Sequence, residues 1–363
     1  MLRIIFTSDY EIHGNGDGSP QELMVESTRR NLECFREFGA KLTIMADVAE
    51  IERFRRFADE TGEDRFGSRA ICDQLRSAVT AGHDVQLHVH PSYYEAEWRD
   101  GRWMQDYDHY DLTRLGPQRL VAVIDRGKRF LEDLLRPVKS GYRCTVFRAA
   151  NWSLQPSGDL VRALIDNGIL IDTSVFKYGR RTDLVQFDYT EAWSPVIPWP
   201  VSAADVCARD PRGRLFECPI YSEARFLPAF ASLGRISRVV ASRRHRLGAG
   251  ASRPCAVRRS WWDRLWRVWR RHAWKLDYNQ CSGRQLIRGL ERAAANVPAA
   301  ACDIPVVLIG HSKLYDDRNS RSLRPFLKYV ANRADRFSFA TFGAVDLDAV
   351  RRAYHGDTAG ALS

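Results

Sequence analysis

Two histidines one residue apart, His88 and His90 in HDVQLHVHP, close an apolar run in a pattern that suits metal binding. Side chains along a strand repeat with period two, so residues i and i+2 project from one face a few ångströms apart. Two neutral imidazoles placed so can share a divalent ion, zinc foremost, and leave positions open for a carboxylate and water. The alternative is a pair of solvent-facing or hydrogen-bonded histidines. A second run bears on the choice: RIIFTSDYEIHG is apolar from Arg3 and ends in Asp9, Tyr10 and Glu11 before a Gly-rich loop. Asp9 and Glu11 also stand at i and i+2, so one can serve as a hard oxygen ligand while the other accepts a proton. Either acid alone reads as an ordinary turn residue after a strand. Beside His-Val-His, the pair reads as chemistry.

The segments that must position these groups alternate between strand and helix patterns. After the first strand, QELMVESTRRNLECFREFGA reads as a helix closed by Gly39, followed by a strand KLTIMAD, a helix around AICDQLRSAVTAG and the His-Val-His strand. A second pass gives a helix through AVIDRGKRFLEDLL, a strand near YRCTVFRAA, a helix SGDLVRALIDNG, a short strand ILIDTSV, a later strand RLFECPI and the apolar strand IPVVLIG ending at His311. This is an α/β pattern, for which parallel strands covered by helices are expected. Functional groups in such folds gather at the C-terminal strand ends, and Asp9 and Glu11, His88 and His90, Arg148, Asp172 and His311 each stand just past an apolar run.

A chain of 363 residues with 45% hydrophobic content can bury one large core or one domain with an insertion. No charged and apolar leader precedes a cleavage site, and no run approaches the roughly 18 apolar residues of a membrane span, so a cytoplasmic protein is expected. The eight cysteines form no CxxC pair and read as reduced and mostly structural. The net charge of +10 matters for its location, because arginines concentrate between Arg225 and Arg284. Within that stretch, residues 261–276 read as an amphipathic helix: Trp262, Leu265, Trp266 and Trp269 fall on one face, Arg264, Arg267 and Arg271 on another. Such a helix can lie on an anionic membrane surface, at the inner face of the membrane, or pack its indoles on the main domain. No recognisable nucleic-acid motif accompanies it, and no nucleic-acid partner is expected.

The ordered set of motifs resembles the polysaccharide deacetylases of the NodB-like, carbohydrate esterase 4 group. TSDYE (7–11) resembles the family's first motif, LHVHP (87–91) its metal-binding histidine motif, and FRAANWS (147–153) its arginine-containing third motif. IDTSVF (171–176) is similar to the segment that follows, and LIGHS (308–312) to the final motif with its histidine. Two departures stand out: one residue separates the histidines where three are usual, and Asp-Tyr-Glu replaces an adjacent Asp-Asp pair. The branch it is most similar to belongs to bacterial surface-polysaccharide (O-antigen) gene clusters and acts inside the cell. The resemblance implies a distorted or incomplete (β/α)-barrel of about seven β/α units, with residues 1–224 as its first part. Residues 225–284 would be a basic, Trp-rich helical insertion, 285–350 the last part of the barrel, and 351–363 a tail.

It further implies that Glu11, His88 and His90 bind one divalent metal, zinc foremost, that Asp9 is general base and that His311 protonates the departing amine. Arg148 would keep Asp9 ionised, and Asp172 would orient His311, contact sugar hydroxyls or cap a turn. Trp152 and Tyr93 are candidates for stacking on a sugar ring, since aromatic faces match the apolar side of a pyranose; for Tyr93, ordinary loop packing is the alternative. The expected activity is removal of an N-acyl group, acetyl foremost, from an amino sugar or glycan during surface-polysaccharide synthesis. A related C–N hydrolase on a cyclic amide or ureide, and a non-catalytic glycan-binding or membrane-associated protein, are the alternatives.

Overall fold

The computed structural model of the protein describes residues 1–231, 270–298 and 302–356. Its centre is a nine-stranded, mostly parallel sheet. Strand β1 (Leu2–Tyr10) is flanked by the last long strand and by β2 (Leu42–Asp47), followed in order by β3 (Asp84–Val89), β4 (Val146–Ala149) and β5 (Ile171–Asp172). Beyond β5 come an antiparallel strand, β6 (Trp199–Pro200), at the outer edge and β7 (Phe216–Glu217) beside β5. A ribbon of β8 (Ser222–Arg225) and β9 (His272–Lys275) stands apart from the sheet, whose remaining strands are β10 (Ile304–His311) and β11 (Phe337–Phe339). Strands buried on both faces need continuous apolar runs rather than alternation, and LRIIFTSDY and IPVVLIGH supply them.

The register sets the site. Asp9 pairs with His311 across β1 and β10, Asp47 with His88 across β2 and β3, and His88 with Arg148 across β3 and β4. Polar residues at the ends of separate strands therefore form one row. The sheet also curls: parallel bridges from Ile220 to Val307 and from Asp277 to Ile309 bring the chain after β7 and after β9 against β10. A curled α/β sheet of this kind is consistent with the incomplete barrel expected from the sequence.

The helices cover the sheet much as the apolar periodicity implies. The first runs through a π-helical stretch, Gln21–Glu26, into α1 (Ser27–Arg36); α3 is Ser68–Thr80 and α5 Gly158–Asp166. Helix α4 (Pro117–Leu135) begins five residues before the sequence pattern suggests, because Pro117 occupies its first position, where no amide hydrogen is needed. Helix α2 (Val48–Thr61) was not expected, although Asp47 caps it and Gly62 ends it with φ of 75°. Between β5 and β7 the described chain makes ribbons and loops instead of a helix, so the regular alternation of about seven β/α units breaks down there. The C-terminal third adds α6 (Gly283–Asn296), α7 (Asp317–Ala331) and α8 (Leu347–His355).

The helix expected over 261–276 is corrected in part. Residues 272–275 form β9, paired antiparallel with β8, because Trp274 and its neighbours complete a ribbon. Trp262, Arg264, Leu265, Trp266, Arg267 and Trp269 lie outside the described residues. Among the described residues no helix is long and apolar enough to cross a membrane, and the described cysteines form no disulfide with one another.

Candidate active site

Asp9 ends β1 inside the protein, and Arg148, at the end of β4, reaches it across the sheet. The Arg148 Nη1 donates to Asp9 Oδ1 at 2.7 Å, and its Nε donates to the Thr173 carbonyl at 2.9 Å. Arg148 is 0% and Asp9 2% exposed, so neither charge is shared with water. Burial alone would raise the Asp9 carboxyl; Arg148 foremost, then His311 and His88, overcome it and hold it below the usual range. Asp9 is therefore held as a fixed carboxylate. Its other oxygen, Oδ2, lies 3.5 Å from His311 Nε2.

His311 is presented from the end of β10 with its backbone amide donating to Asn279 Oδ1 at 2.6 Å. Gly310 before it is dictated by packing, since a Cβ there would fall 2.2 Å from the Tyr278 ring. Among the described residues, His311 Nδ1 is buried without a hydrogen-bond partner. Burial lowers its pKa below the ordinary histidine value, against the pull of Asp9. Trp152 meets the imidazole edge-on at 5.7 Å. Asn151 and Trp152 both sit in the left-handed region, at φ of 55° and 58°. Such backbone costs about 1–3 kcal/mol per residue and persists where neighbours over-determine it. Here Tyr189 donates its hydroxyl to the Trp152 carbonyl at 2.6 Å and Tyr110 donates to Asn151 Oδ1 at 3.1 Å.

Beside Asp9 and His311, Glu11, His88 and His90 bring one ligand atom each to within 4.8 Å of one another. The two imidazoles lie 4.8 Å apart and perpendicular. Glu11 Oε2 is 3.6 Å from His88 Nε2 and 3.3 Å from His90 Nδ1. His88 Nδ1 is 2.8 Å from the Arg148 carbonyl, which can only accept, so this nitrogen carries the hydrogen in the neutral ring and Nε2 keeps its lone pair. His90 Nδ1 is 2.7 Å from Asp47 Oδ2, the carboxylate–histidine pairing that orients metal ligands. Asp47 also accepts from the His90 backbone amide at 3.2 Å.

The electrostatics fit a cation. Asp9, Glu11 and Asp47 converge here, and Arg148 and Lys313 answer only part of that charge. Burial disfavours a charged His88, yet Glu11 and Asp9 raise its pKa to about 9. Glu50, buried beside Asp47 and Glu11, is pushed well above the carboxylate range and accepts the Ile12 amide at 2.9 Å. Two imidazoles with outer hydrogen bonds, one carboxylate oxygen and surplus negative charge are a donor set suited to zinc or a similar divalent ion.

Asp172, Tyr93 and Trp152 fare differently as contacts for substrate. Asp172 is 0% exposed; its oxygens accept the Ser174 amide at 3.0 Å and hydroxyl at 2.8 Å, and Glu217 sits across the strand pair. Ser174 Oγ in turn accepts the Ala149 amide at 2.8 Å. That chain fixes the turn beside Arg148, and a sealed carboxylate is out of reach of sugar hydroxyls. Tyr93 is 1% exposed, its ring 6.5 Å from His90 and its hydroxyl accepting from Gln105 at 3.1 Å, so it packs as wall rather than as an open stacking face. Trp152 is half-buried at the site, with the Lys275 ammonium 3.6 Å from its ring centre.

Sequence reasoning missed Asp47, Glu50, Asn279 and Lys313. Asp47 closes β2 and caps α2, and Lys313 lies in the turn after β10. Only the register that places them beside Glu11 and His90 reveals them. Lys313 Nζ donates to Glu11 Oε1 at 2.7 Å and to the Ile12 carbonyl at 2.9 Å. Burial would raise the Glu11 carboxyl, but Lys313, then His90 and His88, hold it well below its ordinary value.

No family model and no curated protein matches the chain. Solved structures do. A protein from Parabacteroides distasonis described as a glycoside hydrolase/deacetylase aligns at a TM-score of 0.52 and 13% identity, over 94% of this chain and 69% of its own. A polysaccharide deacetylase from Mycobacterium smegmatis aligns at 0.44 and 15% identity, over 94% and 87%. An allantoinase aligns at 0.46 and 14% identity, over 98% and 92%. At these identities, the likeness to the Parabacteroides protein shows a shared fold.

Proposed function

We propose that the protein is a metal-dependent hydrolase of a non-peptide C–N bond that removes an N-acyl group, acetyl foremost, from an amino sugar during bacterial surface-polysaccharide synthesis. One observation carries this reading: Asp9, fixed by Arg148, lies 3.5 Å from His311 on the same rim as the Glu11, His88 and His90 set. A base, an acid and a metal-binding triad together are what amide hydrolysis requires. The Parabacteroides protein of shared fold, described as a glycoside hydrolase/deacetylase, supports the choice of a carbohydrate substrate.

A divalent ion held by Glu11, His88 and His90 would supply Lewis acidity toward the acyl carbonyl and the attacking water. Asp9 takes the proton from that water, and Arg148 keeps its carboxylate ionised and aimed. His311, 3.5 Å away, passes a proton to the nitrogen as the C–N bond breaks, so carboxylate and amine leave. Trp152 beside His311 offers an indole to the sugar ring. The test is acetate release from a panel of N-acetylated amino sugars, with a cyclic ureide in parallel. Acetate release supports the reading, and turnover of the ureide alone would replace it.

The basic, Trp-rich segment supports a place at an anionic membrane surface on the cytoplasmic side. Phe226 and Leu227, which precede it, are 46% and 41% exposed, and Arg271 stacks on Phe226 at 5.4 Å. Exposed apolar groups beside arginines suit the headgroup boundary of anionic lipid.

A further inference from the structure

The two oxygens of Glu11 face different cations. Oε2 lies on the histidine side, 3.6 Å from His88 Nε2 and 3.3 Å from His90 Nδ1, the nitrogen that also meets Asp47. Oε1 accepts from Lys313 Nζ at 2.7 Å. The ammonium is itself anchored, because it also donates to the Ile12 carbonyl at 2.9 Å and its side chain is only 14% exposed. The turn that carries it is tied down as well: Ser312 Oγ accepts the Glu11 amide at 3.4 Å, and the Ser312 carbonyl accepts the Ser27 hydroxyl at 2.6 Å. Lys313 follows His311 by two residues, so the strand end that delivers the acid also delivers this cation.

An ammonium offsets the Glu11 charge but is repelled by a divalent ion beside it, so charge works both ways. Geometry is more specific. A carboxylate can bind an ion through one oxygen or through both, and the second mode consumes a coordination position. A catalytic ion needs its remaining positions for water and substrate. We infer that Lys313 is a positioning residue that occupies Oε1 and so restricts Glu11 to ligation through Oε2 alone, keeping the coordination number low. The inference rests on the metal-binding reading of Glu11, His88 and His90.

Cobalt(II) is the probe, because its visible absorption is intense at low coordination number and weak at high, and it accepts the same donor set as zinc. The full-length protein is stripped of metal, titrated with Co2+, and compared with K313M and K313R. Wild type should bind one Co2+ with intense bands, K313M one Co2+ with markedly weaker bands, and K313R, which keeps a donor to Oε1, should retain most of the wild-type intensity. A merely structural lysine would leave the spectrum of any folded variant unchanged. K313Q carries the same comparison if K313M fails to fold. Equal spectra for wild type and K313M would overturn the inference while leaving the metal site standing. No Co2+ bound by wild type would overturn both.

Discussion

Arg148 and Asp9 form an ion pair of 2.7 Å between two strand ends, sealed from solvent and separated by 139 residues of chain. Removing one partner of such a pair strands a buried charge, which costs about 3–5 kcal/mol. R148M should therefore lose stability in that range in urea unfolding, and R148M/D9N should recover most of it. Equal stability of R148M and wild type would show that Asp9 is not held charged by this contact.

His311 separates acid catalysis from metal binding. H311A should retain bound metal and lose about 10²–10⁴-fold in amide hydrolysis. An activated phenyl ester, whose leaving group needs no proton, should lose far less. Equal losses on amide and ester would remove His311 from the role of proton donor.

His83 gives the fold a pH dependence away from the site. Its ring Nδ1 accepts the Leu42 amide at 3.1 Å, and burial, then Lys41, lower its pKa to about 4. The unfolded chain, with an ordinary value of about 6.5, binds a proton that the folded chain refuses, so stability rises with pH. This contribution is complete above about pH 6.5 and fades as pH falls toward about 4. After allowance for partial solvent screening it amounts to about 1–2 kcal/mol. Urea midpoints at pH 7 and pH 5 should fall further for wild type than for H83Q; parallel falls would contradict the assignment.

Contact with anionic lipid is checked by co-sedimentation with phosphatidylglycerol vesicles and with phosphatidylcholine vesicles. Wild type should sediment with the first and not the second, and W262A/W266A should sediment several-fold less. Indifference to lipid charge, or no sedimentation at all, would remove the membrane from the account.

Much of the site was legible because each group closes a strand. The apolar runs before Asp9, His88, Arg148 and His311 mark buried parallel strands, and a parallel sheet brings their C-terminal ends together whatever the intervening sequence. Short-range pattern could not show what the register adds. Lys313 and Asp47 become site residues only because β1 lies between β10 and β2, and β2 pairs with β3. Asp172 and Tyr93 turn out to be buried, because position after a strand does not report which side of the wall a side chain occupies. Helix α2 carried legible signals in Asp47 and Gly62, but the strand immediately before it obscured its start. Trp274 lay within the stretch expected to be helical yet pairs in a ribbon, where long-range strand pairing outweighs local periodicity.

The central claim is that Glu11, His88 and His90 hold one catalytic divalent ion. Elemental analysis of freshly purified protein, repeated after reconstitution with zinc, tests it most directly when run on wild type and H88A together. The account predicts about one ion per chain in wild type and a loss of most of it in H88A, with the variant still folded. Wild type that binds no metal even after reconstitution, or H88A that retains the full amount, would contradict it.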